Sequence, residues 1–384
     1  MKILITGGAG FLGFHLAQYL QKKKFDLTLV DVHNFDSHEY EGSFKLEIAD
    51  IRDAKKIDKL IKGHDIVIHC AAALPLWKKE DIYSVNIEGT KNVLEASLHH
   101  KIKRVIHISS TAVYGIPKKH PIVETDPLQG VGPYGESKIQ AEELCLSFIE
   151  KGLPVTILRP KTFVGTGRLG VFEILFDWVH DGKKIPVFGS GNNRYQLLDV
   201  DDLVEVVYLF IDKSTVIPAK AGIQMSLRAP ASRQEAKQSH LNKIAASPTA
   251  PRNDKLNDVF NIGAEEFTTV KKDLTALFTF AQSGSKVLPI PSLPLKLVLR
   301  FFELLHLSPL YQWVYETADK DSFVSINKIV KTLDWKPKYS NAEALIKAYK
   351  WYLENYSEIK SHPAGVTHTA GWKQGVLGLV KRFL

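Results

Sequence analysis

Cysteine is scarce in this chain: two residues, Cys70 and Cys145, stand among 384. Two thiols exclude a disulfide framework and a thiolate-rich metal site, and they fit a reducing compartment. A cytoplasmic location is the expectation. Long apolar runs are also lacking. No stretch of about 18 uncharged apolar residues occurs, so no ordinary transmembrane helix is expected. No charged segment followed by an apolar one opens the chain, so no secretion signal is expected. The 14 histidines show no metal-binding spacing. His99-His100 end a helical pattern, His64 and His69 flank a strand pattern, and no metal is assigned. The net charge is +8, but aromatic interleaving is missing. Lys22-Lys23-Lys24 and Lys101-Ile102-Lys103-Arg104 therefore read as solvated faces rather than a nucleic-acid surface.

What the chain does have is a regular rhythm. Hydrophobic residues make up 45%, enough for one large domain or two unequal ones. Short β-rich runs recur at Lys2–Thr6, Leu27–Asp31, Phe44–Ile48, Ile66–Cys70, Arg104–Ser109 and Val155–Arg159. Helical patterns such as Asp81–His99 and Tyr134–Lys151 lie between them. This alternation predicts an α/β fold, a doubly wound parallel sheet of the Rossmann kind, with a smaller C-terminal substrate-binding lobe. Ligands of such sheets bind beyond the carboxyl ends of the strands.

Residues 214–256 break the rhythm. They are rich in Ala, Ser, Pro, Lys, Arg and Gln, with no aromatic residue and no sustained apolar period. So long a loop inside a compact domain is expected to be a disordered surface insertion or a functional lid. VIPAKAGIQ and APRND resemble translated bacterial intergenic repeats, which favours the insertion. Deleting the stretch would join a helical pattern directly to Asn257–Gly263, which reads as helix, turn and strand.

Two local patterns carry chemistry. Gly7, Gly10 and Gly13 follow the first strand and open an amphipathic helix at Phe11 and Leu12. The glycines allow a tight turn and close approach of backbone to phosphate, and the helix N-terminus offers free N–H groups to a dinucleotide pyrophosphate. Asp31 ends the next strand, about 20 residues on, where a carboxylate accepts from the adenosine ribose. No Arg or Lys follows directly, which favours NAD over NADP. Asp50 and Ile51 flank the adenine in one reading; in the other, Asp50 caps the next helix. Ala71 and Ala72 offer small side chains beside the cofactor or plain core packing. The second pattern is Tyr134 with Lys138 at i and i+4, one face of a helix. An ammonium beside a phenol lowers the phenol's pKa and makes it a base. Ser110, just past the fifth strand, can share a proton with it.

These words together resemble the extended short-chain dehydrogenase/reductase family, in its NAD-dependent epimerase/dehydratase branch. The residues that carry the likeness are TGGAGFLG at 6–13, Asp31, VNIEGT at 85–90, SSTAVYG at 109–115, YGESK at 134–138 and LRP at 158–160. LLDVDDLV at 197–204, FNIG at 260–263 and LDWKPKYS at 333–340 add to it. The resemblance implies Tyr134 as general base and acid, Lys138 as its activator and a holder of the nicotinamide ribose, and Ser110 as the catalytic hydroxyl, with Thr111 an alternative. Asn86 would stabilise a helix bend. Thr111, Arg159 and Arg194 are the candidate substrate contacts. The likeness also implies a homodimer paired through helices 81–99 and 134–151.

The domain reading is a Rossmann domain over 1–170 and a substrate lobe over 171–358, with 195–212 and 257–263 packing back on the first domain. A basic amphipathic tail spans 359–384. The functional reading is an NAD-dependent epimerase or dehydrogenase on a secondary alcohol, foremost a nucleotide-sugar epimerase. Thr111-Ala112 stand where dehydratases of the family carry Asp-Glu, which argues against loss of water. The alternatives are a 3β-hydroxysteroid dehydrogenase-like or dihydroflavonol reductase-like enzyme on a hydrophobic alcohol, and a non-catalytic NAD-binding regulator. In residues 294–310 Lys296, Arg300 and Glu303 form a narrow polar stripe on an otherwise apolar helix. Such a helix is buried, covers a hydrophobic ligand or rests on a membrane; burial in the lobe is the expectation. The end, 371–384, offers a weak peripheral membrane contact or packs on its own domain.

Overall fold

A computed structural model describes residues 1–35, 40, 42, 44–75, 77–167, 171–216, 254–304, 312–361 and 381. Seven parallel strands form the central sheet in the order β10-β6-β5-β4-β1-β2-β3. They are β1 (Lys2–Thr6), β2 (Asp26–Asp31), β3 (Phe44–Ile48), β4 (Ile66–His69), β5 (Arg104–Ile108), β6 (Val155–Pro160) and β10 (Val259–Ile262). Side chains alternate between two apolar layers. Ile3 and Ile5 of β1 join one layer, and Leu4 joins the other. The first layer is covered by α1 (Phe11–Lys22) and α7 (Val200–Val216), the second by α2 (Ala54–Ile61), α4 (Thr90–His99) and α5 (Gly132–Glu150).

The helix expected over 81–99 is broken in kind. A short α3 (Lys79–Tyr83) runs into a π-helical turn, Ser84–Gly89, before α4 begins. The π turn puts one extra residue into the helical ladder, and it sits where Asn86 must reach sideways.

The smaller lobe has its own core. α6 (Val171–His180), α8 (Val270–Ala281) and α12 (Asn341–Glu354) enclose Phe176, Leu277, Tyr349 and Tyr352, together with β8 (Ile185–Phe188). β8 pairs in parallel with β11 (Val287–Ile290), and β7 (Phe163–Val164) with β9 (Leu198–Asp199). Lys381, in the expected tail, bonds Asp177 of α6 and Asp181 just after it, at 2.5 and 2.6 Å. The remainder of 371–384 lies outside the described residues.

α9 (Ser292–Leu304) overturns the expectation of burial. Leu293, Leu297 and Phe301, at i, i+4 and i+8, are 72%, 56% and 58% exposed. Lys296 is turned inward instead, while Arg300 stays more than half exposed. Lys296 Nζ bonds Asp319 at 2.6 Å, and Arg300 bonds Glu316 of α10 (Gln312–Thr317) at 2.5 Å. Lys296 and Arg300 fasten the helix, and Leu293, Leu297 and Phe301 are turned out. Among the described residues no helix is long and apolar enough to cross a membrane.

Residues 217–253 lie outside the described residues. The flanks of that stretch meet on one side chain. Arg104, buried at the start of β5, donates to Ser214 Oγ at 2.6 Å, to Asn257 Oδ1 at 2.8 Å and to the Asp254 carboxylate.

Candidate active site

β1 ends at Thr6, and the chain turns at Gly7 with φ of 71°. A Cβ on Gly7 would stand 2.7 Å from the Ala71 backbone nitrogen, and one on Gly13 would stand 2.1 Å from the Gly7 carbonyl oxygen. Only glycine fits either place. Gly10 is the N-cap of α1, and no side chain caps that helix. By contrast Asp53, Thr269 and Ser340 cap α2, α8 and α12. The side chains of Phe11 and Leu12 are buried in the sheet's apolar layer, which leaves their N–H groups at the open helix end. Asp31 leans over the loop: its Oδ2 accepts from Ala9 N and its Oδ1 from His33 N, both at 3.0 Å. An uncapped helix end, glycines that admit no Cβ and a carboxylate at the next strand tip fit a dinucleotide.

The Asp50 expectation divides. Asp53, not Asp50, caps α2, accepting from Lys56 N at 3.0 Å. The Asp50 carboxylate is gripped by Arg52, at 2.6 Å, which holds its pKa below the usual range. Ile51 is buried against Gly89. Ala71 and Ala72 follow β4, and Ala71 N lies 3.3 Å from Thr6 Oγ1.

α5 carries the other half. Lys138 is buried, and its Nζ donates to the Ile108 carbonyl at 3.1 Å, 5.9 Å from the centre of the Tyr134 ring. Burial brings the lysine down to about 8. Burial also pushes the Tyr134 phenol up to about 12, and a hydrogen bond with Ser110 pulls against it. Ser110 and Tyr134 are thus brought together, and the Lys138 ammonium lies over the Tyr134 ring. Ser110 Oγ accepts from Ala112 N at 3.1 Å, capping a 3-10 turn over Thr111–Tyr114. Thr111 Oγ1 donates to the Pro160 carbonyl at 3.3 Å.

Asn86 ties these pieces together. From the π turn its Oδ1 accepts from Ala73 N at 2.8 Å, and its Nδ2 donates to Ser137 Oγ at 3.0 Å. It links the loop after β4 to the helix turn between Tyr134 and Lys138.

Arg159 is a correction. Expected to touch substrate, it is buried and bonds Glu142 at 2.5 Å, Tyr114 Oη at 2.6 Å and the Glu124 carbonyl at 3.1 Å. Burial opposes its charge, but Glu142 and Tyr114 outweigh burial and raise its pKa. Ser109 and Asn261 complete this network, donating to Glu142 at 2.5 Å and accepting from Tyr114 at 2.8 Å. Glu142 was missed, although it continues the i, i+4 series of Tyr134 and Lys138. Arg194 is exposed, its guanidinium 4.6 Å from the ring centres of both Phe267 and Phe323. Far from these, Asp58, His99 and His100 bring ligand atoms together at one place, a cluster that linear spacing did not reveal.

Residues 3–221 match the NAD-dependent epimerase/dehydratase family. The chain belongs to that family. It is therefore an enzyme family that uses NAD, on the Rossmann sheet described above. An uncharacterized protein of Sinorhizobium fredii, y4nG, is 32% identical over 98% of this chain and 85% of its own length. The UDP-N-acetyl-alpha-D-glucosaminuronate decarboxylase of Bacillus cytotoxicus is 29% identical over 73% of this chain and 92% of its own. The UDP-glucose 4-epimerase of Lactobacillus helveticus is 27% identical over 95% and 99%. Among solved structures, UDP-glucose 4-epimerase of Thermotoga maritima shares the fold with a TM-score of 0.69, at 22% identity over 93% of this chain and 100% of that one.

Proposed function

We propose that this enzyme is an NAD-dependent nucleotide-sugar epimerase acting on a secondary alcohol of the sugar. The convergence of Ser110 and Tyr134, with Lys138 over the tyrosine ring, beside an uncapped glycine turn carries the reading. The names of the relatives support the substrate class. The N–H groups around Gly7, Gly10 and Gly13 would hold the pyrophosphate, Asp31 the adenosine ribose, Asp50-Ile51 the adenine edge, and Ala71-Ala72 the middle of the cofactor. Bound NAD supplies a hydride acceptor and, once reduced, the matching donor.

Tyr134 Oη takes the proton of the substrate hydroxyl, and Ser110 Oγ hydrogen-bonds the same oxygen. A phenol near 12 is a weak base at neutral pH. Lys138, charged below about 8, is the cation on its own helix that favours the phenolate. Product that left as the ketone would make the enzyme a dehydrogenase, so the ketone must turn within the site before reduction. Proton NMR of UDP-glucose incubated with the purified enzyme, with no NAD added, tests the reading. Conversion at the 4-position is expected, and Tyr134→Phe should slow it by about 10²–10⁴-fold. A wild type that carries NAD yet leaves every nucleotide sugar unchanged would sink it.

The outward face of α9 favours a second reading, an oxidoreductase for a hydrophobic alcohol at a membrane surface. Flotation with anionic liposomes, with and without residues 371–384 and with Leu297→Glu, separates the two. The first reading also carries a homodimer through the helices at 81–99 and 134–151, and a cytoplasmic enzyme; light scattering on the purified protein tests the dimer.

A further inference from the structure

Lys161 follows β6 directly, at the carboxyl edge of the sheet. Its backbone N–H is fixed on the Ile262 carbonyl at 2.8 Å. The residue before it, Pro160, takes the hydrogen bond of Thr111, neighbour of Ser110. Its side chain is 1% exposed. An ammonium has three N–H donors. One goes to Ser322 Oγ at 2.7 Å, and the Nζ lies 4.7 Å from the centre of the Tyr195 ring. Among the described residues no carboxylate pairs with it. Burial brings it down to about 7.

A buried ammonium without an anion is costly, and a fold keeps one where something else supplies the charge. The surroundings are polar side chains where the strand end meets the lobe. Tyr195 Oη and Thr162 Oγ1 lie 3.1 Å apart, and Tyr195 and Ser322 form an isolated β-bridge that lays the lobe over the strand end. Arg194, the residue before Tyr195, is an exposed cation at the same rim, its guanidinium set against the Phe267 and Phe323 rings. Lys161 is set inside it, one strand away from Ser110.

We propose that Lys161 and Ser322 form a subsite for a carboxylate on the sugar ring of the substrate. The inference rests on the nucleotide-sugar reading and narrows it to acidic sugars. The two N–H donors left on Lys161 meet the carboxylate oxygens, and Ser322 Oγ donates to one of them. Neutral sugars leave the lysine as it stands.

The test is isothermal titration of the full chain with its bound NAD, using UDP-glucuronate and UDP-glucose as probes. Wild type should bind the glucuronate at least about tenfold more tightly, the size of one hydrogen bond to a charged group. Lys161→Met should abolish that preference and leave UDP-glucose within about twofold. Ser322→Ala, a smaller change, should reduce the preference about threefold, and it covers the case in which Lys161→Met fails to fold. Equal losses on both sugars would assign the lysine to the shared diphosphate or to the fold, and would overturn the inference. No loss on either would make Lys161 a structural residue and overturn it too. A wild type that prefers UDP-glucose overturns the inference and leaves the proposed function standing. A wild type that binds neither sugar takes both down.

Discussion

Two cations stand two residues apart at the end of β6, and the fold surrounds them in opposite ways. Arg159 points toward α5 and meets Glu142, Tyr114 and a main-chain carbonyl, so that each neighbour favours its charge. Lys161 points toward the lobe and meets one hydroxyl and one ring. The first pKa is raised and the second lowered to about 7, although both side chains are almost fully buried. Burial alone therefore does not decide what a buried charge does. The partner set does. Arg159 holds strand, helix and the β10 edge together, while Lys161 is a charge kept waiting.

The sharpest way to break this contrast is to remove Arg159. Arg159→Met leaves Glu142 buried beside Ser109 without its counter-charge. The expected loss is about 3–5 kcal/mol of stability, the usual cost of stranding one half of a buried pair. Urea unfolding followed by circular dichroism measures it. A loss under about 1 kcal/mol would return Arg159 to the list of substrate contacts.

Lys161→Met should act with the other sign. The folded pKa lies below the ordinary lysine value of 10.5, so the unfolded chain binds the proton more tightly. Wild type therefore gains stability as pH rises from about 7 to 10.5, and below about 7 the full penalty is present. The methionine variant escapes that penalty. It should be more stable than wild type by about 1–3 kcal/mol at pH 6, with the gap closing toward pH 10. Thermal melts across that range decide it. A variant less stable at pH 6 would mean that the Ser322 hydrogen bond and packing outweigh the charge.

The same pair shows what a sequence reveals. β1 and β3 stand where the apolar runs put them, at Lys2–Thr6 and Phe44–Ile48, and β2, β4, β5 and β6 differ by one residue. Apart from the exposed edge strand β3, these runs are set by burial on both faces, which is written in adjacent residues. The glycine turn and the Tyr134–Lys138 face are local too. Partner sets are not local. Arg159-Pro160 reads as a strand-end cation until Glu142 arrives from the previous helix. Lys161 looks like any surface lysine until Ser322 closes over it from far along the chain. In α9 the periodicity grouped Lys296 with Arg300 correctly, but it could not say which face points inward. Asp319 and Glu316 decided that.

A third cation falls between the two extremes. Arg104 is buried, and burial lowers its pKa while Asp254 works against that. Its partners sit at the two ends of the stretch expected to be an insertion: Ser214 at its start, Asp254 near its end and Asn257 just past it. The flanks thus close on a point of the core. A deletion that spares Ser214 and Asp254, removing 217–253 and joining the ends with a short Gly-Ser linker, should leave the Arg104 contacts intact. Shortening a loop changes closure entropy only logarithmically, by less than about 2 kcal/mol. Turnover should stay within about twofold, and the melting temperature should hold or rise by a few degrees. The broader deletion of 216–255 removes Asp254 and should melt lower than the first. If the spared variant kept its melting temperature and lost turnover, the stretch would be a lid over the site. If both deletions melted alike, Arg104 would not need Asp254, and the scale running from Arg159 to Lys161 would lose its middle point.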